Sequence, residues 1–187
     1  MCIRDRAVPD NTIEKDEIDE HINAFARAVS KVEHEFDELS QKMKGTISDE
    51  ELALFDAFTL MLNSDTLIGA TIDRIHAGQW AQGALRETIA EHVKQFDAMD
   101  DAYLRERAVD IKDLGRRILM HLQEQQISVQ EISQPVILVG EEVTVSQLAE
   151  VPLQHLAAII STKGSASSHI AILSRALSIP TVRGLDD

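Results

Sequence analysis

The sequence predicts a bundle of helices followed by a small α/β part. Through most of residues 11–125, apolar residues recur at three- and four-residue steps, which is the spacing of one buried face on a helix. After Gln134-Pro135, short apolar runs alternate with short helical segments. That order is typical of parallel strands joined by right-handed crossovers. We therefore predict a helical subdomain over residues 11–125 and an α/β subdomain over residues 126–187.

The helical part is expected to contain four or five antiparallel helices with short connections, as in a bundle. Gly45 ends the first and longest helix. Ser48 and the acidic residues after it predict the start of the next one, because serine caps a helix and carboxylates favour its positive end. Asn63-Ser64-Asp65 predicts a break and a further start. The apolar stripe of the first helix consists of Ile18, Ile22, Phe25, Val29, Val32, Phe36 and Leu39.

The α/β part is expected to contain three parallel strands. The apolar runs at residues 136–139 and 156–162 predict buried strands, and residues 180–182 predict a third. Residues 145–149 predict a short helix between the first two strands. The helix that follows the second strand begins near His169 and cannot continue far beyond Pro180.

Composition limits the classes of partner and location. Lys and Arg total 18 against 32 Asp and Glu, a formal charge of −14, which argues against nucleic acid and anionic membranes and suits a basic protein partner. Cys2 is the single cysteine, so neither a disulfide framework nor a cysteine metal site is expected. The sequence contains no apolar run of transmembrane length and no signal-peptide pattern, and we expect a cytoplasmic protein.

The ends of the sequence suggest a piece of a longer protein. Residues 1–6 have no periodicity and lead into no element, and we suspect that they are not native. A βαβ unit that stops near residue 187 leaves sheet edges and faces uncovered, which a complete domain avoids.

The loop Gly164-Ser165-Ala166-Ser167-Ser168 carries the strongest chemical signal, because it joins a strand to a helix and is followed by His169. Its small residues allow backbone N–H groups to approach an anion closely. Ser167 or Ser168 can cap the helix, so His169 lies at a helix N-terminus, where a phosphate is favoured. A neutral imidazole is a nucleophile near pH 7, so His169 is predicted to accept a phosphoryl group. The alternative is a structural histidine, the commoner case for a lone histidine after a strand.

This stretch resembles the phosphohistidine motif of the phosphoenolpyruvate-utilising enzymes. The matching positions are Gly164, Ser167, Ser168, His169, Ala171, Ile172, Leu173 and Arg175. Three residues depart from the pattern: Ser165 replaces a glycine or alanine, Ser167 replaces a threonine or asparagine, and Ile170 replaces a small residue. The motif is shared with pyruvate phosphate dikinases and phosphoenolpyruvate synthases, so alone it indicates a chemistry and no single family.

Three further blocks narrow the resemblance. Residues 54–62, 100–119 and 136–146 resemble, in this order, segments of the enzyme I type of phosphoenolpyruvate-protein phosphotransferase. The resemblance covers roughly residues 15–187. It implies an α/β phosphohistidine (swivelling) subdomain and an all-α helical-bundle subdomain that docks a phosphocarrier, truncated at both ends. Ser165 and Ile170 are similar to the nitrogen-related branch, and the sugar-transport branch stays open.

The resemblance also implies a reaction and a set of residues. His169 would take the phosphoryl group of phosphoenolpyruvate and pass it to a histidine of a small phosphocarrier protein, with Gly164, Ser167, Ser168 and Arg175 supporting the phosphoryl group. The residues implied to bind the carrier are Asp49, Glu50, Leu60, Met61, Asp65, Leu67, Leu104 and Arg107. The alternative for this set is that the carboxylates form a solvated helix face and the leucines belong to the bundle core.

In that family, phosphoenolpyruvate and Mg²⁺ bind to a C-terminal barrel that this chain lacks, so we assign no metal ligand here. The full-length protein is expected to be a homodimer. Two other functions stay open at this point. One is an acidic helical docking module with an inactive histidine site, and the other is the swivelling domain of a dikinase or a phosphoenolpyruvate synthase.

Overall fold

The computed structural model describes residues 12–98, 102–123, 132–163 and 168–184. The side chains of residues 97 and 102–107 lie outside that description. The chain forms two compact units, the first from Met1–Val32 and Met61–Gln125 and the second from Glu33–Leu60 and Gln126–Asp187. Residues 33–60 thus group with the α/β part, although they are helical. The predicted subdomain boundary between residues 125 and 126 stays a prediction.

The described residues form seven α-helices, two short helical turns and three strands. The helices are α1 (Ile18–Met43), α2 (Asp49–Leu62), α3 (Ala70–His76), α4 (Ala81–Asp97), α5 (Ala102–Leu122), α6 (Val145–Ala149) and α7 (His169–Ala176). A π-helical turn covers Asp65–Gly69 and a 3-10 turn covers Leu153–His155. The strands are β1 (Val136–Gly140), β2 (Leu156–Ser161) and β3 (Thr181–Arg183). Among the described residues, no helix is both long and apolar enough to cross a membrane.

Two predicted helix starts are confirmed by their hydrogen bonds. At α2, the Ser48 hydroxyl accepts from the Glu51 backbone N–H at 3.2 Å, and the Glu51 carboxylate accepts from the Ser48 N–H at 2.8 Å. This reciprocal pair is a capping box. At the π-helical turn, the Ser64 hydroxyl accepts from the Leu67 N–H at 3.3 Å. Both starts therefore follow from short local signals.

The first unit is a packed helical core. Phe25, Leu85 and Ile118 are at most 1% exposed. Helices α4 and α5 approach so closely that a Cβ added at Gly115 would lie 2.5 Å from Ile89 Cγ1. The predicted stripe on α1 is confirmed within this unit at Phe25, Val29 and Val32, which are buried.

The second unit contains a three-stranded sheet that is parallel, as predicted, and its strand order is β1-β2-β3. The prediction that the strands are buried is wrong for β1, where Ile137 and Val139 are 55% and 66% exposed. Val139 pairs with Ile160, and Ile160 pairs with Val182, which is 49% exposed. Side chains alternate between the two faces of a strand. The described part of the chain covers one face, where Ile159 is fully buried, and leaves the other open.

Candidate functional site

The carboxyl end of β2 is held by hydrogen bonds around Ser161, which is 2% exposed. The Ser161 hydroxyl accepts from the Val143 backbone N–H at 3.2 Å and donates to the Lys163 carbonyl at 2.7 Å. The Thr162 N–H donates to the Gly140 carbonyl at 3.2 Å. These bonds fix the end of β2 against the turn after β1. The segment that follows, residues 164–168 before His169, is called the histidine loop below. Sequence reasoning missed Ser161, and the signal was a polar residue ending an apolar strand.

Lys163, the last described residue before the loop, forms an ion pair with Glu141. The hydrogen bond from Lys163, and then its positive charge, hold the pKa of the Glu141 carboxyl below its ordinary value. Both side chains are exposed. The lysine charge nearest to the loop therefore already has a carboxylate beside it.

Helix α7 begins at His169, as predicted, and Ser168 is its N-cap residue. The Ser168 carbonyl accepts from the Ala171 N–H at 2.9 Å, which starts the helix. The Ser168 hydroxyl makes no capping bond. It accepts instead from Arg183 Nη1 at 3.0 Å. The prediction that Ser168 can cap the helix is therefore right for its position and wrong for its side chain, whose hydroxyl is bonded to the arginine.

Gly164 and Ser167, the other predicted loop residues, lie outside the described residues. Their expected role toward the phosphoryl group stays a prediction.

The His169 ring is half-buried and contacts Phe58 of α2 edge-on, with ring centroids 5.6 Å apart and an interplanar angle of 88°. Phe58 is 3% exposed and stacks on Phe36 of α1, at 5.3 Å between centroids. An edge-to-face pair of this kind contributes about 0.5–1.5 kcal/mol beyond simple burial. The contact therefore restricts rotation of the imidazole ring. Phe58 and His169 are distant in sequence, so periodicity carried no signal for this contact.

Two arginines, Arg183 and Arg175, belong to the elements next to the histidine loop, β3 and α7. Arg183 ends β3, and its guanidinium reaches Ser168. Arg175 is exposed in the last turn of α7, and helical side chains lean toward the helix N-terminus. Burial first, and then the positive charge of Arg175, lower the pKa of Arg183. The Arg183 guanidinium stays protonated near pH 7, since arginine is not deprotonated in proteins. The positive charge of Arg183 therefore lies beside the start of α7.

The residues expected to bind the carrier have different environments. Asp49, Glu50 and Asp65 are exposed, Leu60 is 74% exposed and Met61 is half-buried. An outward leucine at this exposure suits a contact surface.

Leu67 differs from that group, because it is 4% exposed. The Ser64 cap bonds its backbone, and its side chain enters the core, as in the alternative given for the leucines. A direct contact of Leu67 with a carrier would need that core to open. Leu104 and Arg107 belong to α5, and their side chains lie outside the described residues.

Within the described ranges, no three His, Cys, Asp or Glu side chains come together in a way that could hold a metal ion. The Mg²⁺ is expected to bind to a barrel that lies outside this chain, and it stays an expectation.

Comparison with known proteins places the chain in a family. Residues 2–107 match the family model for the N-terminal region of phosphoenolpyruvate-utilising enzymes. Residues 132–187 match the model for the mobile domain of the same enzymes. The first match overlaps the predicted helical subdomain, and the second lies within the predicted α/β subdomain.

Individual relatives agree with these models. The chain is 35% identical over 159 residues to a Salmonella typhimurium protein named phosphoenolpyruvate-dependent phosphotransferase system, covering 85% of the chain and 21% of that protein. It is 32% identical over 170 residues to the phosphoenolpyruvate-protein phosphotransferase of Bacillus sp. (strain S), covering 90% of the chain and 29% of that protein. The chain thus spans less than a third of the curated relatives that it matches.

A solved structure described as the N-terminal domain of nitrogen enzyme I is similar to the chain with a TM-score of 0.67 and 30% identity. The match covers 96% of this chain and 73% of that one. The fold predicted from the resemblance is therefore confirmed. The chain belongs to the phosphoenolpyruvate-utilising enzyme family, in the N-terminal region characteristic of the enzyme I phosphotransferases.

Proposed function

We propose that His169 accepts a phosphoryl group and exchanges it with a histidine of a small phosphocarrier protein. The observation that supports this most is the placement of the ring. His169 follows a parallel strand, starts a helix, is half-buried against Phe58 and lies beside the Arg183-Ser168 bond. In parallel sheets, ligand chemistry belongs at the carboxyl ends of the strands. The neutral ring of a histidine in such a place can act as a nucleophile.

The proposed step is a phosphoryl exchange between two imidazoles. The unprotonated ring nitrogen of His169 attacks the phosphorus of the carrier phosphohistidine. A new N–P bond forms at His169 while the N–P bond of the carrier breaks. The second ring nitrogen of His169 gives up one proton, and the departing imidazole takes up one. No electrons are exchanged, so the step needs no redox partner and can run in both directions.

Catalysis of such a step depends on positioning and on stabilising negative charge. Phe58 restricts the imidazole, and the start of α7 presents the positive end of a helix to the incoming oxygens. Backbone N–H groups and hydroxyls aimed at developing negative charge act most strongly where water is partly excluded. Gly164, Ser167, Ser168 and Arg175 belong to this support in the proposal.

The proposed docking surface combines negative charge with one outward leucine. Asp49, Glu50 and Asp65 are exposed carboxylates, and Leu60 is 74% exposed on the same helix as the two N-terminal acids. Met61, Leu67, Leu104 and Arg107 complete the proposed set, with Leu67 contributing from beneath the surface. Because the chain carries a formal charge of −14, a basic carrier would be attracted over a distance, and salt would weaken that attraction.

In the full-length protein, phosphoenolpyruvate would supply the phosphoryl group. We propose that its binding, the Mg²⁺ that it needs and the contacts of a homodimer belong to regions outside this chain, in keeping with the greater length of the relatives. The chain alone would then exchange phosphate with the carrier but would not turn over phosphoenolpyruvate. The cytoplasmic location stays a prediction.

The test uses a radiolabelled phosphocarrier that has been phosphorylated by a full-length relative and then separated from it. Label is expected to move to the wild-type chain and not to His169→Ala. Raising the salt from about 0.05 M to about 0.5 M should slow this exchange about tenfold, because long-range attraction is screened. Leu60→Ser should slow the exchange with the carrier while leaving the reaction with phosphoramidate, a small phosphoryl donor, unchanged.

Label that enters His169→Ala at the wild-type rate would overturn the assignment of the histidine. Labelling of the wild-type chain from phosphoenolpyruvate and Mg²⁺ alone would overturn the proposal that phosphoenolpyruvate binds to regions outside this chain.

A further inference from the structure

Arg183 reaches the histidine site from a different element. It is the last residue of β3, and β3 pairs in parallel with β2, with Arg183 opposite Ser161. Ser161 is also the residue at which β2 ends and the histidine loop is anchored. Because the carboxyl ends of parallel strands meet at one edge of a sheet, Arg183 stands at the edge from which the loop leaves.

The guanidinium of Arg183 already contacts the residue before the histidine. Nη1 donates to the Ser168 hydroxyl at 3.0 Å, and Ser168 is followed directly by His169. Arginine has five N–H donors in a planar fork. A fork with this many donors has the geometry to bind both a hydroxyl and the oxygens of a phosphoryl group.

The local charge also favours an anion. Burial first, and then the positive charge of Arg175, lower the pKa of Arg183, so a negative group beside Arg183 would be favoured. A phosphoryl group on a histidine carries nearly two negative charges, so it would be attracted by both guanidinium groups. Arginine binds phosphate oxygens with two parallel hydrogen bonds, which lysine cannot do.

We propose that Arg183 is a phosphoryl-binding residue of this site, which donates to the oxygens of the phosphoryl group on His169 and holds Ser168 when that group is absent. This inference rests on the proposed function, since it needs His169 to be phosphorylated. It assigns to β3 a part in the site beyond its pairing with β2. The competing account is structural, and in it Arg183 acts only by fixing Ser168 at the start of α7.

The experiment uses the whole 187-residue chain and phosphoramidate. This donor needs no docking partner, and its reaction with histidine forms an N–P bond and releases ammonia. The measured quantities are the rate of His169 phosphorylation, the half-life of the phosphohistidine and the pH titration of its ³¹P chemical shift. The variants are Arg183→Gln, Arg183→Lys and Ser168→Ala. The matched control is Arg27→Gln, which removes one positive charge from an exposed position on α1.

Arg183→Gln should slow phosphorylation by about tenfold or more, as expected for the loss of a hydrogen bond to a charged group. It should also raise the pH at which the ³¹P signal titrates, because a nearby cation favours the dianion. Arg183→Lys should recover part of both effects. Ser168→Ala should lose clearly less than Arg183→Gln, since it removes one hydroxyl but keeps Arg183. Arg27→Gln should stay within about twofold of the wild type.

Two results would overturn the proposal. If Arg183→Gln matched the wild type in rate and in ³¹P titration, Arg183 would not bind the phosphoryl group. If Ser168→Ala reproduced the whole effect of Arg183→Gln, the arginine would act only through the serine. If the wild-type chain took up no phosphoryl group on His169, the proposed function itself would be overturned. Failure of the proposed function can therefore be told apart from failure of the Arg183 proposal.

Discussion

Helices α2 and α7 both begin after a serine, but the two hydroxyls are bonded differently. At the start of α2, the side chains of Ser48 and Glu51 each accept a hydrogen bond from the backbone N–H of the other residue. The Ser168 hydroxyl makes no such bond at α7 and is held by Arg183 from strand β3. A capping hydroxyl that bonds to the backbone of its own helix stabilises that helix. The Ser168 hydroxyl bonds instead to Arg183 of β3, and this bond connects the start of α7, where His169 lies, to the sheet.

The comparison predicts that α2 affects His169 through Phe58 and not through its N-terminus. Phe58→Leu and Phe55→Leu should each lower the free energy of unfolding by about 1–3 kcal/mol, since both rings are buried and both contact Phe36. Only Phe58 contacts His169 among these rings. Phosphorylation by phosphoramidate, measured where both variants are folded, should therefore slow only in Phe58→Leu.

Phe55→Leu is the matched control because it lies on the same helix, has a similar size and is similarly buried. The imidazole resonances of His169 should shift in Phe58→Leu and stay close to the wild type in Phe55→Leu. If the two variants had equal rates and equal shifts, Phe58 would be a core residue with no role at His169.

A smaller effect is expected from the two cap serines. Ser48→Ala should lower the free energy of unfolding by about 1 kcal/mol, the usual cost of losing a capping side chain. Ser168→Ala should cost less than half of that, because its hydroxyl satisfies no N–H of α7. Urea unfolding of the two variants, followed by circular dichroism, measures the difference. A larger loss in Ser168→Ala than in Ser48→Ala would show that the two helix starts do not differ in the way described.

Local signals predicted a large part of the fold. The starts at Ser48 and Ser64 depend on residues within three positions, and the parallel sheet follows from apolar runs that alternate with short helices. The position of His169 at a helix start is local in the same sense. These features could be predicted because the interactions that produce them lie within one turn or one strand.

The remaining features depend on residues that are distant in sequence. The contact of Phe58 with His169 and the exposure of Val139 are set by how elements pack, which periodicity does not report. Arg183 is an intermediate case. It ends a strand that pairs in parallel with the strand before the histidine loop, so the rule for the carboxyl ends of parallel strands could have placed it at the site.

The most direct test of the account is to map the phosphoryl group on the labelled chain. The chain contains seven histidines, so the phosphoryl group could be found on any of six histidines other than His169. Fragments of the phosphorylated chain would be analysed by mass spectrometry at alkaline pH, where phosphohistidine survives. The account predicts a single phosphoryl group on His169, and none in His169→Ala. A phosphoryl group found on another residue, or label that remains in His169→Ala, would contradict it.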